Sequence, residues 1–499
     1  MELQTCDVAI VGSGFGGTLT ALILRHLGIR PLLVERGRHP RFALGESSTP
    51  LADLVLEQLA RQYDLPELLP LCQYGSWKRS FPELNVGLKR GFSYFYHEPQ
   101  QPFQITPDHR NEMLVAASYG NEDSDTHWHR ADFDHHFARL AIARGIPLLE
   151  SASLSSLEPV SPTGDKPGWI LRGEHLGEPL TILTRFVIDA SGAGAFLPRQ
   201  LGLKSSLDEL QTHSRCLFSH FTNVRSWEEI LRESGHNTAD HTFPCDAAAL
   251  HHLFHGGWMF VLRFDDGTTS AGFSLDPRIH PQTEDLSPEQ EWNLWLDRFP
   301  SLRAQFQQAL PVAPEPGKIQ RTSRLQRVYP QAAGPDWALL PTTAGIIDAL
   351  HSSGNAHTLF GVQRLARTFA HWHDPPRFAQ SLQKYSSTTA EEIRLIDELV
   401  GGCYRHLDDF SRMSLYSMCY FVAAHSLEAR RMQHPDDDSG FLRVDEPEFR
   451  SRLRQVGQLV DSSPLPYPRL HDEIAAILAP DNSAGFLDLD KRNMYPYRA

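Results

Sequence analysis

The pattern of apolar and polar positions changes along the chain. Two short apolar runs, Val8–Val11 and Phe186–Ile188, are uninterrupted, which is typical of strands buried in a parallel sheet. Two other segments, Phe92–His97 and Trp258–Leu275, alternate and predict strands of a second, largely antiparallel sheet. The Asp265-Asp266-Gly267 turn inside the latter predicts a hairpin.

After Arg364 the apolar residues recur at helical spacing. Glu391–Leu399 and Ser414–Arg431 both carry this pattern. The chain therefore predicts an α/β part, an antiparallel sheet and a helical C-terminal region. A short Pro/Gly loop is predicted at Ser161–Gly164.

The first apolar run leads directly into a glycine-rich turn. The order strand, GSGFGG, helix-like stretch and second strand is that of a dinucleotide-binding βαβ unit. Glycines allow the tight turn and the close approach of a pyrophosphate, and the helix N-terminus offers free N–H groups to phosphates. An acid after the second strand is placed to bind ribose hydroxyls. The residues predicted to contact the dinucleotide are Gly12, Gly14, Phe15, Gly16, Gly17, Glu35 and Arg36.

Two further apolar strands break into turns of small residues. One ends at Asp189, and the other runs from Trp337 through Gly345 to Asp348. Cofactors lie in the crevice at the carboxyl ends of parallel strands. We therefore expect these two turns to meet the glycine turn at one edge of the sheet.

Composition restricts the possible partners and the compartment. With 499 residues the chain suits two or three domains. A net charge of −14 argues against nucleic-acid binding through bulk charge. No run of about 18 apolar residues occurs, so no stable membrane insertion is expected. The start of the chain resembles no signal peptide, and the six cysteines form no CxxC, which predicts a cytoplasmic protein without a metal site.

Four segments, added to the βαβ unit, carry a resemblance to a known family. They are Leu44–Pro50 (LGESSTP), His129–Asp134 (HRADFD), Gly257–Leu262 (GWMFVL) and Ala344–Gly354 (AGIIDALHSSG). Together they resemble the flavin-dependent halogenases and related FAD-dependent monooxygenases, which share the glutathione-reductase-type FAD fold and include the tryptophan halogenases. Within these segments Phe260 stands where the family has a second tryptophan, and His351 stands where tryptophan halogenases carry a glutamate. A substrate other than tryptophan is therefore expected.

The resemblance implies the architecture and the cofactor. It implies a Rossmann-like FAD-binding domain over residues 1–75, 110–200 and 325–385, and an antiparallel β-sheet substrate domain over 76–109 and 201–324. Residues 386–499 form the helical C-terminal region. FAD is the implied cofactor. Its further implied contacts are Ser48, Arg130, Asp189, Gly345 and Asp348.

The resemblance also implies the chemistry. Reduced FAD and O2 oxidise halide to hypohalous acid, and a lysine holds or carries the halogen to an electron-rich ring. Two lysines are candidates, Lys78 and Lys89, and the sequence does not decide between them. Glu46 is predicted to orient the reacting species or the lysine. His351 is a candidate general base, because an unperturbed imidazole titrates near neutrality.

The remaining predictions concern the halide and the substrate. Hydroxyl and backbone donors that converge without a carboxylate suit an anion such as chloride or bromide. The residues predicted to line the halide and flavin-ring loop are Ser352, Ser353 and Gly354. The residues predicted to wall an aromatic substrate pocket are Phe92, Tyr94, Trp258 and Phe260.

The leading hypothesis is a halogenase acting on an electron-rich aromatic or polyketide-type metabolite, either free or bound to a carrier protein. Two alternatives stay open: a hydroxylase of the same fold that does not use halide, and a flavin-dependent reductase of unsaturated lipids. The sequence contains no second GxGxxG in a βαβ context. Reduced flavin is therefore expected from a separate flavin reductase.

Overall fold

The first of two large sheets is built around parallel strands from distant parts of the chain. The computed structural model describes residues 2–160, 168–282 and 285–497, so the predicted loop at 161–164 lies outside the described residues. The strands of this sheet are β1 (Glu2–Val11), β2 (Pro31–Val34), β7 (Leu148–Leu149), β8 (Ala152–Pro159), β9 (Trp169–His175), β10 (Glu178–Asp189), β18 (Ala333–Gly334) and β19 (Trp337–Leu339).

The parallel register brings the predicted turns to one edge. The order along the sheet is β18-β19-β10-β1-β2-β7. Val11 at the end of β1 is paired with Asp189 at the end of β10, which is paired with Leu339 at the end of β19. The expectation that three strand-to-turn elements meet at one edge is confirmed.

The second sheet is mainly antiparallel, as predicted. Its strands are β4 (Gly91–Tyr96), β5 (Glu112–Ala116), β11 (Arg215–Thr222), β12 (Ala249–Phe254), β13 (Gly257–Arg263), β14 (Thr269–Leu275), β15 (Leu310–Ala313), β16 (Gln320–Arg321) and β21 (Met494–Tyr495). Strands β13 and β14 form the predicted hairpin. Strand β21 was not predicted, and it adds the end of the chain to the sheet edge beside β5.

Two short ladders complete the strands. Strand β3 (Val86–Lys89) is antiparallel to β6 (Asp125–Trp128), and β17 (Arg327–Val328) is antiparallel to β20 (Gly345–Ile346). The first ladder places Lys89 directly opposite Asp125.

Helices cover the sheets and form the C-terminal region. They are α1 (Phe15–His26), α2 (Pro50–Gln62), α3 (Tyr74–Ser80), α4 (Arg130–Ala143), α5 (Phe196–Leu201), α6 (Trp227–Glu233), α7 (Pro288–Arg298), α8 (Pro300–Phe306), α9 (Pro341–Ala344), α10 (Ser353–Phe369), α11 (Pro375–Arg405), α12 (Phe410–Gln433), α13 (Pro447–Ser462) and α14 (Tyr467–Leu478). The predicted helical segments around 391–399 and 414–431 lie within α11 and α12.

The predicted domain boundaries stay predictions, and two elements lie differently from them. Strand β5 (Glu112–Ala116) pairs within the second sheet, although the boundary at residue 110 assigns it to the FAD-binding part. Helix α11 begins at Pro375 and passes without a break through the boundary at 385. No helix of the described residues is long and apolar enough to cross a membrane.

The alternation of the second sheet separates two apolar cores. Along β13, Trp258 and Leu262 face the large core shared with the first sheet and the C-terminal helices, whereas Met259 and Val261 face a second core against α6, α7 and α8. Successive side chains of a strand point to opposite faces, so both faces of this strand are buried. The sheet therefore stands between the candidate site and the second core.

Candidate active site

The glycine turn after β1 has the geometry of a dinucleotide cradle. Gly12 has a φ of +102°, and a Cβ there would lie 2.6 Å from the carbonyl oxygen of Ala190. A Cβ on Gly17 would lie 2.2 Å from the carbonyl oxygen of Gly12, so the helix could not approach the strand. Gly14 precedes α1, and a Cβ there would have no contact closer than 3.5 Å. A small side chain at Gly14 would thus make ordinary contacts with the charged side chains beside the helix N-terminus.

Charged side chains surround this helix N-terminus. Glu35 at the end of β2 accepts hydrogen bonds of 3.1 Å from both the backbone N–H and the hydroxyl of Ser13. Arg41 and Asp134 also lie here, since a Cβ on Gly14 would be 3.7 Å from an Arg41 nitrogen and 3.5 Å from an Asp134 oxygen. Arg130 forms a bidentate ion pair with Asp134 at 2.9 and 3.0 Å. Two arginines therefore stand beside the turn that the sequence assigned to the pyrophosphate.

Two of the predicted cofactor contacts, Asp189 and Arg36, lie in a buried turn and at the exposed surface respectively. Asp189 is buried, and its carboxylate accepts hydrogen bonds from the backbone N–H groups of Ser191 and Leu197 at 2.9 and 2.7 Å. These hydrogen bonds stabilise the turn after β10. Arg36 is exposed, one residue beyond Glu35.

Asp348 links the turn after β20 to the second sheet and to helix α11. Its Oδ2 atom accepts hydrogen bonds from the hydroxyls of Ser214, Ser274 and Tyr404 at 2.9, 3.0 and 2.8 Å. Burial raises the pKa of this carboxyl, and the hydroxyl donors oppose the increase. Gly345 packs against α11, since a Cβ there would lie 2.7 Å from Ile393. Both residues fix the loop rather than line an open space.

The loop after Asp348 ends at the N-terminus of α10. Ser352 precedes this helix with a φ of +52°, and its side chain does not cap the helix. Gly354 is exposed, and a Cβ there would meet nothing within 4 Å. Helices α10 and α1 meet near their N-termini, because a Cβ on Gly16 would lie 2.8 Å from Thr358. The predicted halide loop and the glycine turn thus lie close together.

Lys89 is buried at the end of β3. Its ammonium donates a hydrogen bond to the carbonyl of Ser48 and lies 3.8 Å from the Asp125 carboxylate. It also lies 4.1 Å from the centre of the Phe92 ring. The Ser48 hydroxyl donates to Asp53, so a second carboxyl belongs to the same cluster. We call Lys89, Asp53 and Asp125 the lysine cluster.

Burial shifts the pKa of each of the three groups of the lysine cluster toward the neutral form. Burial and the nearby Asp125 raise the pKa of Asp53 well above its ordinary value, which favours the protonated acid. Burial raises the pKa of Asp125 to about 7, against the opposing effect of Lys89. Burial lowers the pKa of Lys89 to about 8, and the two acids oppose that decrease. A fraction of the lysine is therefore neutral near physiological pH.

Lys78, the other candidate, lies at the surface. Its ammonium forms an ion pair of 2.6 Å with Asp265, and 37% of the side chain is exposed. In α3 the buried residues are Gly75 and Trp77, whereas Lys78 is partly exposed and pairs with a surface aspartate. The structure separates two lysines that the sequence left equivalent.

Glu46 is buried between the segment before α2 and the second sheet. It accepts hydrogen bonds from the His220 ring at 2.6 Å and from the Ser270 hydroxyl at 2.7 Å. These partners come from β11 and β14 and were not predicted. The next residues, Ser47 and Ser48, contact Asn355 of α10 and Lys89. One short segment therefore links Glu46, the helix start and the lysine cluster.

His351 lies in the helical region rather than in an open site. Its ring stacks on Tyr420 with centres 4.6 Å apart, and its Nε2 atom is 3.4 Å from the Ser417 hydroxyl. Burial lowers the pKa of the imidazole to about 3. A base with so low a pKa binds a proton weakly at neutral pH. This environment does not suit the predicted general base.

Of the four predicted wall residues, Phe92 lines the main pocket formed by the described residues. Tyr94 and Trp258 are buried in the large core beside His251. Trp258 donates a 3.0 Å hydrogen bond to Tyr404, and Phe260 packs onto Gly272. Alternation along β4 and β13 thus identified the buried face of the sheet, and contact of these three residues with a substrate stays a prediction.

The pocket lies between α12, strands β4 and β5 and the last residues of the chain; we call it the aromatic pocket. Phe92 lines this pocket and is also in contact with Lys89. Its lining residues are Thr49, Pro50, Leu51, Phe92, Val115, Ala116, Ala117, Tyr420, Phe421, Ala424, His425, Glu428, Ala484, Phe486, Pro496 and Tyr497. Most of these side chains are apolar or aromatic, as in pockets for small organic molecules.

Several residues of the site escaped the sequence-based reasoning. Arg41, Asp53, Asp125, Asp134, His220, Ser270 and Glu428 are brought in from separate elements. The Asp134 carboxylate had a sequence signal, because it lies four residues after Arg130 on one helix face. The others carry no local pattern.

Curated relatives identify the family. The chain is 30% identical to the monodechloroaminopyrrolnitrin halogenase PrnC of Pseudomonas fluorescens over 411 residues, which cover 81% of this chain and 68% of the relative. It is also 30% identical to the tetracycline 7-halogenase of Kitasatospora aureofaciens over 358 residues, which cover 70% of this chain and 61% of that enzyme. No protein-family model matches the chain.

Solved structures agree on the fold. The halogenase PltM superimposes with a TM-score of 0.85 at 24% identity, covering 98% of this chain and 99% of PltM. The complex of PltM with phloroglucinol and FAD gives 0.84 at 23% identity with the same coverage. The flavin-dependent brominase Bmp2 gives 0.62 at 17% identity, covering 95% of this chain and 99% of Bmp2.

The chain belongs to the family of flavin-dependent halogenases. It is a flavin-dependent enzyme of the oxidoreductase type with a mixed α/β fold and a helical C-terminal region. The predicted family, fold class and enzyme class are confirmed, and FAD agrees with the cofactor of the solved relatives.

Proposed function

We propose that the protein binds FAD and uses reduced flavin and O2 to halogenate an electron-rich aromatic or polyketide-type metabolite. The observation that carries this proposal is the position of Lys89. It is fully buried, it binds the backbone of the Ser48 segment, and it lies against Phe92 at the wall of the aromatic pocket. Burying a lysine ammonium lowers the free energy of unfolding unless the group has a compensating role.

The residues at the strand edge fit FAD. The glycine turn leaves space that a side chain at Gly14 would fill, and the N-terminus of α1 suits a pyrophosphate. Arg41 and Arg130 supply positive charge there, and Glu35 is placed for ribose hydroxyls. Ser48 directly precedes the lining residues Thr49 and Pro50, and Asp348 holds the loop before α10. Bound FAD would supply the reduction of O2 that oxidises halide to hypohalous acid.

Lys89 then acts on the hypohalous acid. Its ammonium donates a hydrogen bond to the oxygen of HOX, which places the halogen and strengthens it as an electrophile. The ring carbon forms a bond to the halogen, the O–X bond breaks, and the ring proton leaves with the hydroxide as water. Asp125 and Asp53 hold the ammonium in place and exchange its proton.

The proposal includes a position for the halide and a source of reduced flavin. Ser352, Ser353 and Gly354 lie at the start of α10, where free backbone N–H groups suit chloride or bromide, and the Asn355 side chain donates to the Ser47 carbonyl there. Reduced flavin comes from a separate flavin reductase, because the sequence offers only one dinucleotide-binding βαβ unit.

The substrate class is supported by the aromatic pocket and by the relatives. The pocket has an apolar, aromatic lining. The relatives act on an aminopyrrolnitrin compound and on tetracycline, and two relatives modify a pyrrole on a peptidyl-carrier protein. A free substrate and a carrier-bound substrate are both within this proposal.

The test combines the purified protein with FAD, a flavin reductase, NADH, O2 and a phenolic or indolic probe, with and without chloride or bromide. Mass spectrometry is expected to show a halogenated product that disappears when halide is left out. Hydroxylated product regardless of halide would overturn the proposal and indicate a monooxygenase.

A further inference from the structure

The aromatic pocket has one carboxylate in its lining. Glu428 lies on α12 among apolar and aromatic neighbours, and the other lining residues carry no acid. Among the described residues, no hydrogen bond or ion pair of Glu428 is found, in contrast to Asp53, Asp125, Glu46 and Asp348. A carboxylate left without a partner in an apolar pocket is costly. Its oxygens are therefore available to a molecule that enters the pocket.

The surroundings of Glu428 disfavour anionic ligands and favour hydrogen-bond donors. The titratable groups that face it are Asp125, Tyr420 and Tyr497, with His425 one turn earlier on the same helix. Burial and the nearby Asp125 raise the pKa of Glu428 to about 8. The lining contains no lysine or arginine that could bind a carboxylate or a phosphate.

We infer that Glu428 is the specificity-determining residue that accepts a hydrogen bond from an O–H or N–H group on the aromatic ring of the substrate. This rests on the proposed function, in which the pocket holds the ring beside Lys89. The class of substrate is then an uncharged phenol or arylamine without a free carboxylate. A ring O–H or N–H group that donates a hydrogen bond to the carbonyl oxygen of Glu428 releases more electron density into the ring, which favours attack on the electrophilic halogen held at Lys89.

The geometry of the pocket supports this orientation. Phe92 contacts Lys89, and Thr49 follows Ser48, which binds Lys89, while Glu428 enters the lining from α12 and interacts with Tyr497 and Asp125. A ring between them has its donor group on Glu428 and another edge toward the lysine. Glu428 would thus determine which substrate binds and which ring position faces Lys89.

The test measures binding to the FAD-loaded full chain without reductant or halide, by calorimetry. The probes are resorcinol and 1,3-dimethoxybenzene, which differ in their O–H groups. The unaltered protein is expected to bind resorcinol about tenfold or more tightly. Glu428→Met removes this preference by weakening resorcinol alone, and Glu428→Gln, which keeps an acceptor oxygen, binds resorcinol better than Glu428→Met does.

The exposed Glu448 provides a matched control, and Glu448→Gln is expected to bind both probes as the unaltered protein does. FAD content and thermal unfolding of each variant report on folding. Equal binding of the two probes by the unaltered protein overturns the inference without any variant, and so does an equal loss of both in Glu428→Met. Because halide and reductant are absent, a protein that binds resorcinol through Glu428 but never halogenates would overturn the proposed function alone.

Discussion

The Lys89 ammonium lies 3.8 Å from the Asp125 carboxylate, and neither side chain is more than 5% exposed. The pairing of β3 with β6 sets these residues opposite each other, and Asp53 of α2 completes the cluster. The charge of the lysine therefore depends on two buried acids beside it, both of which raise its pKa.

Asp125→Asn is expected to change the pH dependence of halogenation. The negative charge of Asp125 raises the pKa of Lys89, so its removal lowers that pKa below about 8. Since the ammonium is the active form, the alkaline limb of the rate profile should move to lower pH by about one unit. Rates measured from pH 6 to 9 check this, and an unmoved limb would show that Lys89 is not the titrating group.

Gly14→Val is expected to remove FAD without unfolding the protein. A Cβ at Gly14 has no contact closer than 3.5 Å, so the backbone accepts a side chain, but the valine methyl groups fill the space of the pyrophosphate. The variant should be purified with less than about a tenth of the FAD per chain, a cost of roughly 1.4 kcal/mol or more. Flavin absorbance and thermal unfolding measure both effects, and full FAD occupancy would refute this position for the cofactor.

Asp348→Ala is expected to destabilise the fold. It leaves the hydroxyls of Ser214, Ser274 and Tyr404 without their common acceptor in a buried place. The loss in the free energy of unfolding should be about 3 kcal/mol or more, measured by denaturant titration. Asp490→Ala, at an exposed position, should change it by less than about 0.5 kcal/mol. A small effect at Asp348 would mean that the loop is held by other contacts.

Glu428→Gln is expected to stabilise the protein at pH 8 but not at pH 4.5. The pKa of Glu428 is higher in the folded protein, so its contribution to stability is present below the unfolded pKa of about 4.3 and is lost as the pH rises toward about 8. Glutamine does not titrate, and the rise in pKa from about 4.3 to about 8 predicts a gain of several kcal/mol, up to about 5, at pH 8. If the difference in unfolding free energy were the same at both pH values, Glu428 would not be a buried, titrating acid.

The sequence was informative where the chemistry is local. Gly12, Gly14, Gly17 and Glu35 lie within one βαβ unit, and their spacing alone places them around a dinucleotide. The hairpin at Asp265–Gly267 was likewise visible, because turn residues and flanking apolar runs are adjacent.

The rest depends on contacts between distant segments. Lys78 and Lys89 look alike in sequence, and only the pairing of β3 with β6 buries one and leaves the other at the surface. Ser48 meets Lys89 across 41 residues, and Glu46 meets His220 across 174. No periodicity reports such contacts, and β21, which brings the chain end to the pocket, is only two residues long.

The most direct test of the account compares Lys89→Met with Lys78→Met in the halide-dependent assay. Both variants remove one ammonium group, but only Lys89 is buried beside the aromatic pocket. With FAD content unchanged, Lys89→Met should lower the rate of halogenated product formation by about 100-fold or more, while Lys78→Met retains it. Halogenation by Lys89→Met at the rate of the unaltered protein would contradict the central claim that this lysine delivers the halogen.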